Sequence, residues 1–210
     1  MSRTIGVLSL QGGYREHGAH LRECGIDPIY VNEPSQLSEC AGLIIPGGES
    51  SCLRRLMKGF LMDKAIIDGV KSGSFKVWGT CAGAILCADE ILGEEPCLSL
   101  IEASVERNIF GSQLASFTED VVVPCVGEGR QRLVYIRAPG IRRIWGKTVE
   151  LHRSHDVITA AENEDVLITS FHPELSSTLL FHEYFIKKCG LEVRESRVGD
   201  WERTSWMIRG

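Results

Sequence analysis

Phe75-Lys76-Val77-Trp78-Gly79-Thr80-Cys81-Ala82-Gly83-Ala84-Ile85-Leu86 is the stretch that decides the fold. Phe75–Trp78 reads as a short buried strand and Ala82–Ile91 as a helix. Between them stands Gly-x-Cys-x-Gly, the pattern of a sharp strand-to-helix turn. Such a turn lifts a nucleophile above the carboxyl edge of a sheet, where ligands bind in α/β folds. Gly79 and Gly83 remove β-carbons that would clash in so tight a bend. The N–H groups opening the helix favour negative charge on the Cys81 sulfur. An arbitrary cysteine is better read as a small buried hydrophobe; the flanking glycines and the strand–helix context set Cys81 apart.

Outward from this elbow the first half alternates strand and helix. Thr4–Leu10, Pro28–Val31 and Gly42–Ile45 read as strands, Tyr14–Cys24 and Ser51–Lys71 as helices. Leu53, Leu56, Met57, Phe60 and Leu61 fall on one face of the latter. This order predicts an α/β fold of three layers, a mostly parallel central sheet with helices on both faces. In the second half Val121–Val123, Leu133–Ile136, Val149–Leu151, Asp156–Ala160 and Val166–Phe171 read as short strands of an antiparallel extension. A helix over Leu175–Cys189 follows. No repeat or long linker divides the chain, so residues 1–190 read as one domain and 191–210 as a tail of open role.

His172-Pro173-Glu174 stands at the carboxyl end of Val166–Phe171. A thiol nucleophile needs an imidazole to exchange protons and gains from a carboxylate that orients it. In extended backbone, held so by Pro173, His172 and Glu174 project to one side. Taken singly, each reads equally well as a structural cap. His17/His20 and His152/His155 are spaced three apart without ligands at metal spacing, and solvated or structural roles suit them better. Pro46-Gly47-Gly48-Glu49-Ser50 ends another strand and offers bare N–H groups to an oxyanion, with donors expected at Gly48 and at Ala82. Read alone, it is a turn with an N-cap at Ser50 or Ser51. Gln11-Gly12-Gly13 says only that backbone passes close to something.

Composition excludes several classes. The 210 residues are 43% hydrophobic and 24% charged, with net charge −5 and scattered Lys and Arg. No basic stripe points to nucleic acid, no apolar run reaches membrane-spanning length, and the N-terminus lacks a cleavage site. Eight cysteines without a C-x-x-C pair fit reduced thiols, and the chain reads as cytoplasmic.

Together the elbow, the glycine loop and His-Pro-Glu resemble the class I, triad-type glutamine amidotransferases. The branch is that of the glutaminase subunit of pyridoxal 5′-phosphate synthase. It is marked by Leu10-Gln11-Gly12 with Arg15-Glu16-His17, by Val105-Glu106-Arg107-Asn108 with Phe110-Gly111 and Gln113, and by Ile136-Arg137-Ala138-Pro139. The resemblance covers about residues 4–189. It implies a triad of Cys81, His172 and Glu174, and L-glutamine contacts at Gly48, Glu49, Ser50, Arg107, Ile136 and Arg137. It implies ammonia transfer to a (β/α)8-barrel pyridoxal 5′-phosphate synthase subunit that switches the glutaminase on, for vitamin B6 biosynthesis, with no metal or organic cofactor. Without it, Arg107 and Arg137 read as surface ion pairs. Two departures are Ala84, where the family carries a larger apolar residue, and the tail beyond Gly190. The competing readings are a glutaminase of another pathway, such as histidine biosynthesis, and a non-catalytic regulatory subunit.

Overall fold

The computed structural model describes residues 3–110 and 116–194. Gly111, Gln113 and the tail from residue 195 therefore lie outside the described residues.

In chain order the elements are β1 (Thr4–Leu8), α1 (Tyr14–Glu23), β2 (Ile29–Val31), β3 (Cys40–Ile45), α2 (Ser50–Gly59), α3 (Met62–Lys71), β4 (Lys76–Thr80) and α4 (Ala82–Cys87). Then follow β5 (Ala88–Ile91), β6 (Ile101–Glu106), β7 (Ser116–Val123), β8 (Gly127–Ile136), β9 (Gly140–Ile144), β10 (Val149–Ser154), β11 (Val157–Glu162), β12 (Val166–Thr169) and α5 (Leu180–Lys188). The main sheet runs β2-β1-β3-β4-β12-β11-β9-β6-β5, with β10 on β11; β7 and β8 form a separate antiparallel ribbon. Pairing from β2 to β12 is parallel, whereas β12-β11-β9-β6 is antiparallel. β12 thus closes the parallel run from β2 and is not part of the antiparallel extension that its place in the chain suggested.

Alternation along the strands feeds two cores. Leu43, Ile45, Val77, Val166 and Ile168 pack with Leu53, Met57, Met62 and Ile66 of α2 and α3. Ile44, Trp78 and Leu167 point the other way, to Leu21 of α1, Phe181 and Phe185 of α5, and Tyr135 of β8. The sheet is therefore apolar on both faces, as a covered parallel sheet must be.

Several readings need correction. The helix over Ser51–Lys71 is two helices, because Leu61 takes a left-handed φ of 56°. Phe60 and Leu61 consequently leave the core face for solvent. The helix from Ala82 stops at Cys87. There Leu98 N–H donates to Leu86 O at 3.0 Å and Leu100 N–H to Cys87 O at 2.8 Å, taking carbonyls a longer helix would use. The helix over Leu175–Cys189 begins only at Leu180, after a 3-10 turn at Pro173–Leu175. Thr178 N–H bonds the Ser176 hydroxyl instead of a backbone carbonyl, the local competition by which Ser and Thr end helices. Pro173 therefore opens a tight turn and does not hold extended chain; the turn still brings His172 and Glu174 together. Finally, β5, β6 and β9 carry no signal read in the sequence. The charged side chains of β9 hide its strand character, Arg142 pairing with Glu106 and Arg143 with Glu90.

Candidate active site

β4 ends at Thr80, and Cys81 adopts φ 48° and ψ −104°, a backbone state a non-glycine residue holds only when its surroundings force it. Cys81 N–H donates to Thr169 O of β12 at 2.8 Å, and Ala84 N–H returns to Cys81 O at 3.1 Å. A β-carbon on Gly83 would collide with the carbonyl oxygen of Ile45, so the elbow packs against the neighbouring strand as closely as backbone permits.

His172 arrives from the end of β12. Its N–H donates to Val134 O of β8 at 2.8 Å, which sets where the imidazole stands. Nδ1 lies 2.8 Å from Glu174 Oε1, and the Cys81 side chain beside the ring favours its charged form. Both side chains close on Gly47, where a β-carbon would stand 2.5 Å from His172 Cε1 and 3.2 Å from Cys81 Cβ. Cys81, His172 and Glu174 thus meet, from separated stretches of chain.

The electrostatics follow from this packing. Burial by itself would lower the His172 pKa, but the Glu174 charge and hydrogen bonds to Cys81 and Glu174 push it up to about 11. Burial would raise that of Glu174, but the facing imidazoles of His17 and His172 pull it down to about 2. His172 is therefore held as imidazolium against a carboxylate.

A cavity of about 530 Å3 opens over Cys81 and His172. Gly48, Glu49, Ser50, Ala82, Arg107, Ile136 and Arg137, all expected from the sequence, line it. Gln11, Ile85, Asn108 and Pro139 line it as well without having been anticipated there. The Gly47 carbonyl accepts from Gly13 N–H at 3.2 Å, so the Gly48 N–H of that trans peptide points the opposite way. Ala82 is the first residue of α4, where an N–H has no carbonyl one turn earlier to bond.

Two side chains do a different job from the one expected. Glu49, not Ser50 or Ser51, caps α2: its carboxylate accepts from Ser51 N–H at 3.1 Å and Cys52 N–H at 2.6 Å, which lowers its pKa. Arg107 is held by Glu94, with Nη2 3.0 Å from Oε2. The ion pair and the cavity-facing position therefore coexist.

Gln11 and His17 are what the sequence reading missed. Gln11 Oε1 accepts the Glu49 N–H at 3.0 Å, joining the first glycine turn to the loop after β3. Gly12 has φ 99°, and a β-carbon there would strike the Gly47 carbonyl oxygen; this is the close passage the Gln-Gly-Gly turn foretold. His17 is fully buried, not solvated, with Nε2 3.3 Å from Glu174 Oε2. The Leu10–Gly12 and Arg15–His17 pairing within the branch motif was the available signal. His152 and His155 lie elsewhere: His152 sits against Thr159 and Glu119, His155 against the Phe110 and Phe117 rings.

Among the described residues no helix is long and apolar enough to cross a membrane. The model of the SNO glutamine amidotransferase family matches residues 7–191. The chain is similar to the pyridoxal 5′-phosphate synthase subunit PdxT of Syntrophus aciditrophicus, 48% identical over 97% of this chain and 93% of that protein. That alignment runs past residue 191, so part of the tail has a counterpart there. The subunit PdxT of Thermus thermophilus is 42% identical over 91% of this chain and all of its own length. A solved structure described as a glutamine amidotransferase superposes with TM-score 0.85 at 40% identity, covering 90% of this chain and 100% of that one. A putative GMP synthase component from Thermoplasma acidophilum, at TM-score 0.63 and 17% identity over 90% of this chain and 95% of that one, shares the fold alone. This chain belongs to the SNO glutamine amidotransferase family.

Proposed function

We propose that the chain is the glutaminase subunit of a pyridoxal 5′-phosphate synthase, hydrolysing L-glutamine to L-glutamate and ammonia. The observation that carries the reading is that Cys81 and His172 line one cavity while buried Glu174 holds His172 Nδ1 at 2.8 Å. The names of the relatives support the pathway.

In this mechanism the Cys81 sulfur attacks the side-chain amide carbon, and the N–H groups of Gly48 and Ala82 hold the oxyanion. The C–N bond breaks as His172 gives its proton to the leaving nitrogen, releasing ammonia and a γ-glutamyl thioester. Neutral His172 then takes a proton from water, the hydroxide attacks the thioester, and glutamate leaves as the C–S bond breaks. Glu174 keeps the imidazole oriented and stabilises its charged form. Arg107 suits the substrate's α-carboxylate, with Glu49, Ser50, Ile136 and Arg137 shaping the rest of the pocket.

Ammonia released into water would be protonated and lost, so a partner must receive it directly. The partner in this reading is a (β/α)8-barrel synthase subunit that activates the glutaminase. The free cysteines support a reducing compartment, the cytoplasm. The test is glutamate release by the purified chain with and without the synthase, beside Cys81→Ala. Release that rises on mixing and vanishes in the variant supports the reading; release surviving Cys81→Ala sinks it.

A further inference from the structure

Glu174 has two carboxylate oxygens, and the triad uses one. Oε1 takes the Nδ1–H of His172, whereas Oε2 is buried without a hydrogen-bond partner among the described residues and faces His17 Nε2 at 3.3 Å. Behind His17 the chain of imidazoles continues. His17 Nδ1 lies 2.9 Å from His182 Nε2, and the His182 ring lies against His20 and the edge of Trp78. His17, His20 and His182 are all fully buried. We propose that His17 is a positioning residue for the glutaminase reaction: a neutral imidazole whose Nε2–H stands between Thr80 Oγ1 and Glu174 Oε2, kept in that tautomer by His182. The proposal rests on the reading of Cys81, His172 and Glu174 as a hydrolytic triad.

The tautomer follows from counting protons. Two imidazole nitrogens 2.9 Å apart share one proton. Were it carried by His17 Nδ1, His17 Nε2 would turn a lone pair on an anionic carboxylate, which is repulsive. With the proton on His182 Nε2 instead, His17 Nδ1 accepts and Nε2–H faces Oε2. His182 Nδ1 is then a bare lone pair, and among the described residues it has no partner. A buried lone pair costs less than a buried unpaired N–H and far less than a buried cation. Charge on the cluster is opposed by its surroundings. Burial lowers the His17 pKa, against the pull of Glu174, and the His172 charge lowers it further. Burial, then His20 and His17, hold that of His182 well below its ordinary value.

The same His17 nitrogen lies 3.2 Å from Thr80 Oγ1, which accepts the N–H of Gly47. One imidazole edge therefore faces both the triad carboxylate and the hydroxyl that anchors the oxyanion loop. Losing it would let Glu174 rotate and the imidazole of His172 wander, a defect expressed in the chemical step more than in substrate binding.

The experiment compares wild type, His17→Leu and His17→Gln in the reconstituted complex with the synthase. Nitrogen-15 NMR of the wild-type chain assigns the histidine tautomers. We expect His17 and His182 both in the Nε2–H form. We expect kcat of His17→Leu to fall about 10- to 100-fold with KM within about twofold, as for loss of a buried donor beside a charged group. His17→Gln, which restores an N–H donor near the same place, recovers most of kcat. Wild-type His17 in the Nδ1–H form, an unchanged kcat in His17→Leu, or equal losses in both variants each overturns the proposal. Failure of the underlying reading is distinct: wild type would release no glutamate, or Cys81→Ala would release it undiminished.

Discussion

The backbone N–H of Gly47 donates to the side-chain oxygen of Thr80 at 3.0 Å, so the residue before Cys81 anchors the loop proposed to bind the oxyanion. Thr80→Val keeps the shape and removes the acceptor. The buried N–H left behind costs about 1–3 kcal/mol. The expected outcome is a lower Tm together with a lower kcat at nearly constant KM, read by thermal melts and steady-state glutaminase assays. A drop in Tm with kcat preserved would show that the anchor serves stability alone.

Two glycines make opposite predictions. Gly83→Ala drives a β-carbon into the Ile45 carbonyl oxygen, so the elbow must open or the strand shift. The expected result is destabilisation of about 1–3 kcal/mol or more and loss of activity. Gly59 closes α2 with nothing within 4 Å of the β-carbon position. Gly59→Ala should stabilise the chain by about 0.5–1 kcal/mol. Denaturant melts of both variants check the pair.

The His172–Glu174 ion pair has a pH signature whose sign follows from its two shifts. Against burial, which would raise it, the His17 and His172 imidazoles depress the Glu174 pKa from 4.5 to about 2. Its contribution to stability is present above 4.5 and lost as pH falls toward 2. Against burial, which would lower it, Glu174 and the hydrogen bonds to Cys81 and Glu174 raise that of His172 from 6.5 to about 11. That contribution is complete below 6.5 and lost as pH rises through 11. The stability of wild type relative to Glu174→Gln should therefore be greatest between pH 4.5 and 6.5 and shrink on both sides. A difference flat from pH 3 to 10 in urea melts at stepped pH, about the span of both transitions, would contradict this.

Glu94 grips the guanidinium of Arg107 at the cavity wall, Nη2 to Oε2 at 3.0 Å. Glu94→Gln leaves Arg107 charged but free to swing. If Arg107 receives the glutamine α-carboxylate, KM should rise about 3- to 10-fold with kcat little changed, because binding of the ground state and of the transition state weakens equally. Equal KM values for wild type and variant would remove Arg107 from the substrate's path.

The parallel core and the elbow were legible because their signals are local. Alternating apolar strands around Leu43–Ile45 and Val77–Trp78 state their period within a few residues, and Gly-x-Cys-x-Gly states its turn within five. His172 and Glu174 were readable as partners for the same reason, two positions apart. Strands β5, β6 and β9 were not, since pairing with distant neighbours and not propensity makes Ala88–Ile91 a strand where the pattern favoured helix. Nor could spacing show that Leu61 turns left-handed and divides one expected helix into two.

By itself, then, the sequence determined which residue types stand at the carboxyl ends of the strands, and hence the chemistry available to the chain. Tertiary structure alone decided that Glu49 caps a helix, that Arg107 is held by Glu94, and that His17 and His182 lie buried behind Glu174. Those arrangements depend on which distant segments share a desolvated space, where a proton or charge must find its partner across packed elements. Local periodicity carries no record of such distances.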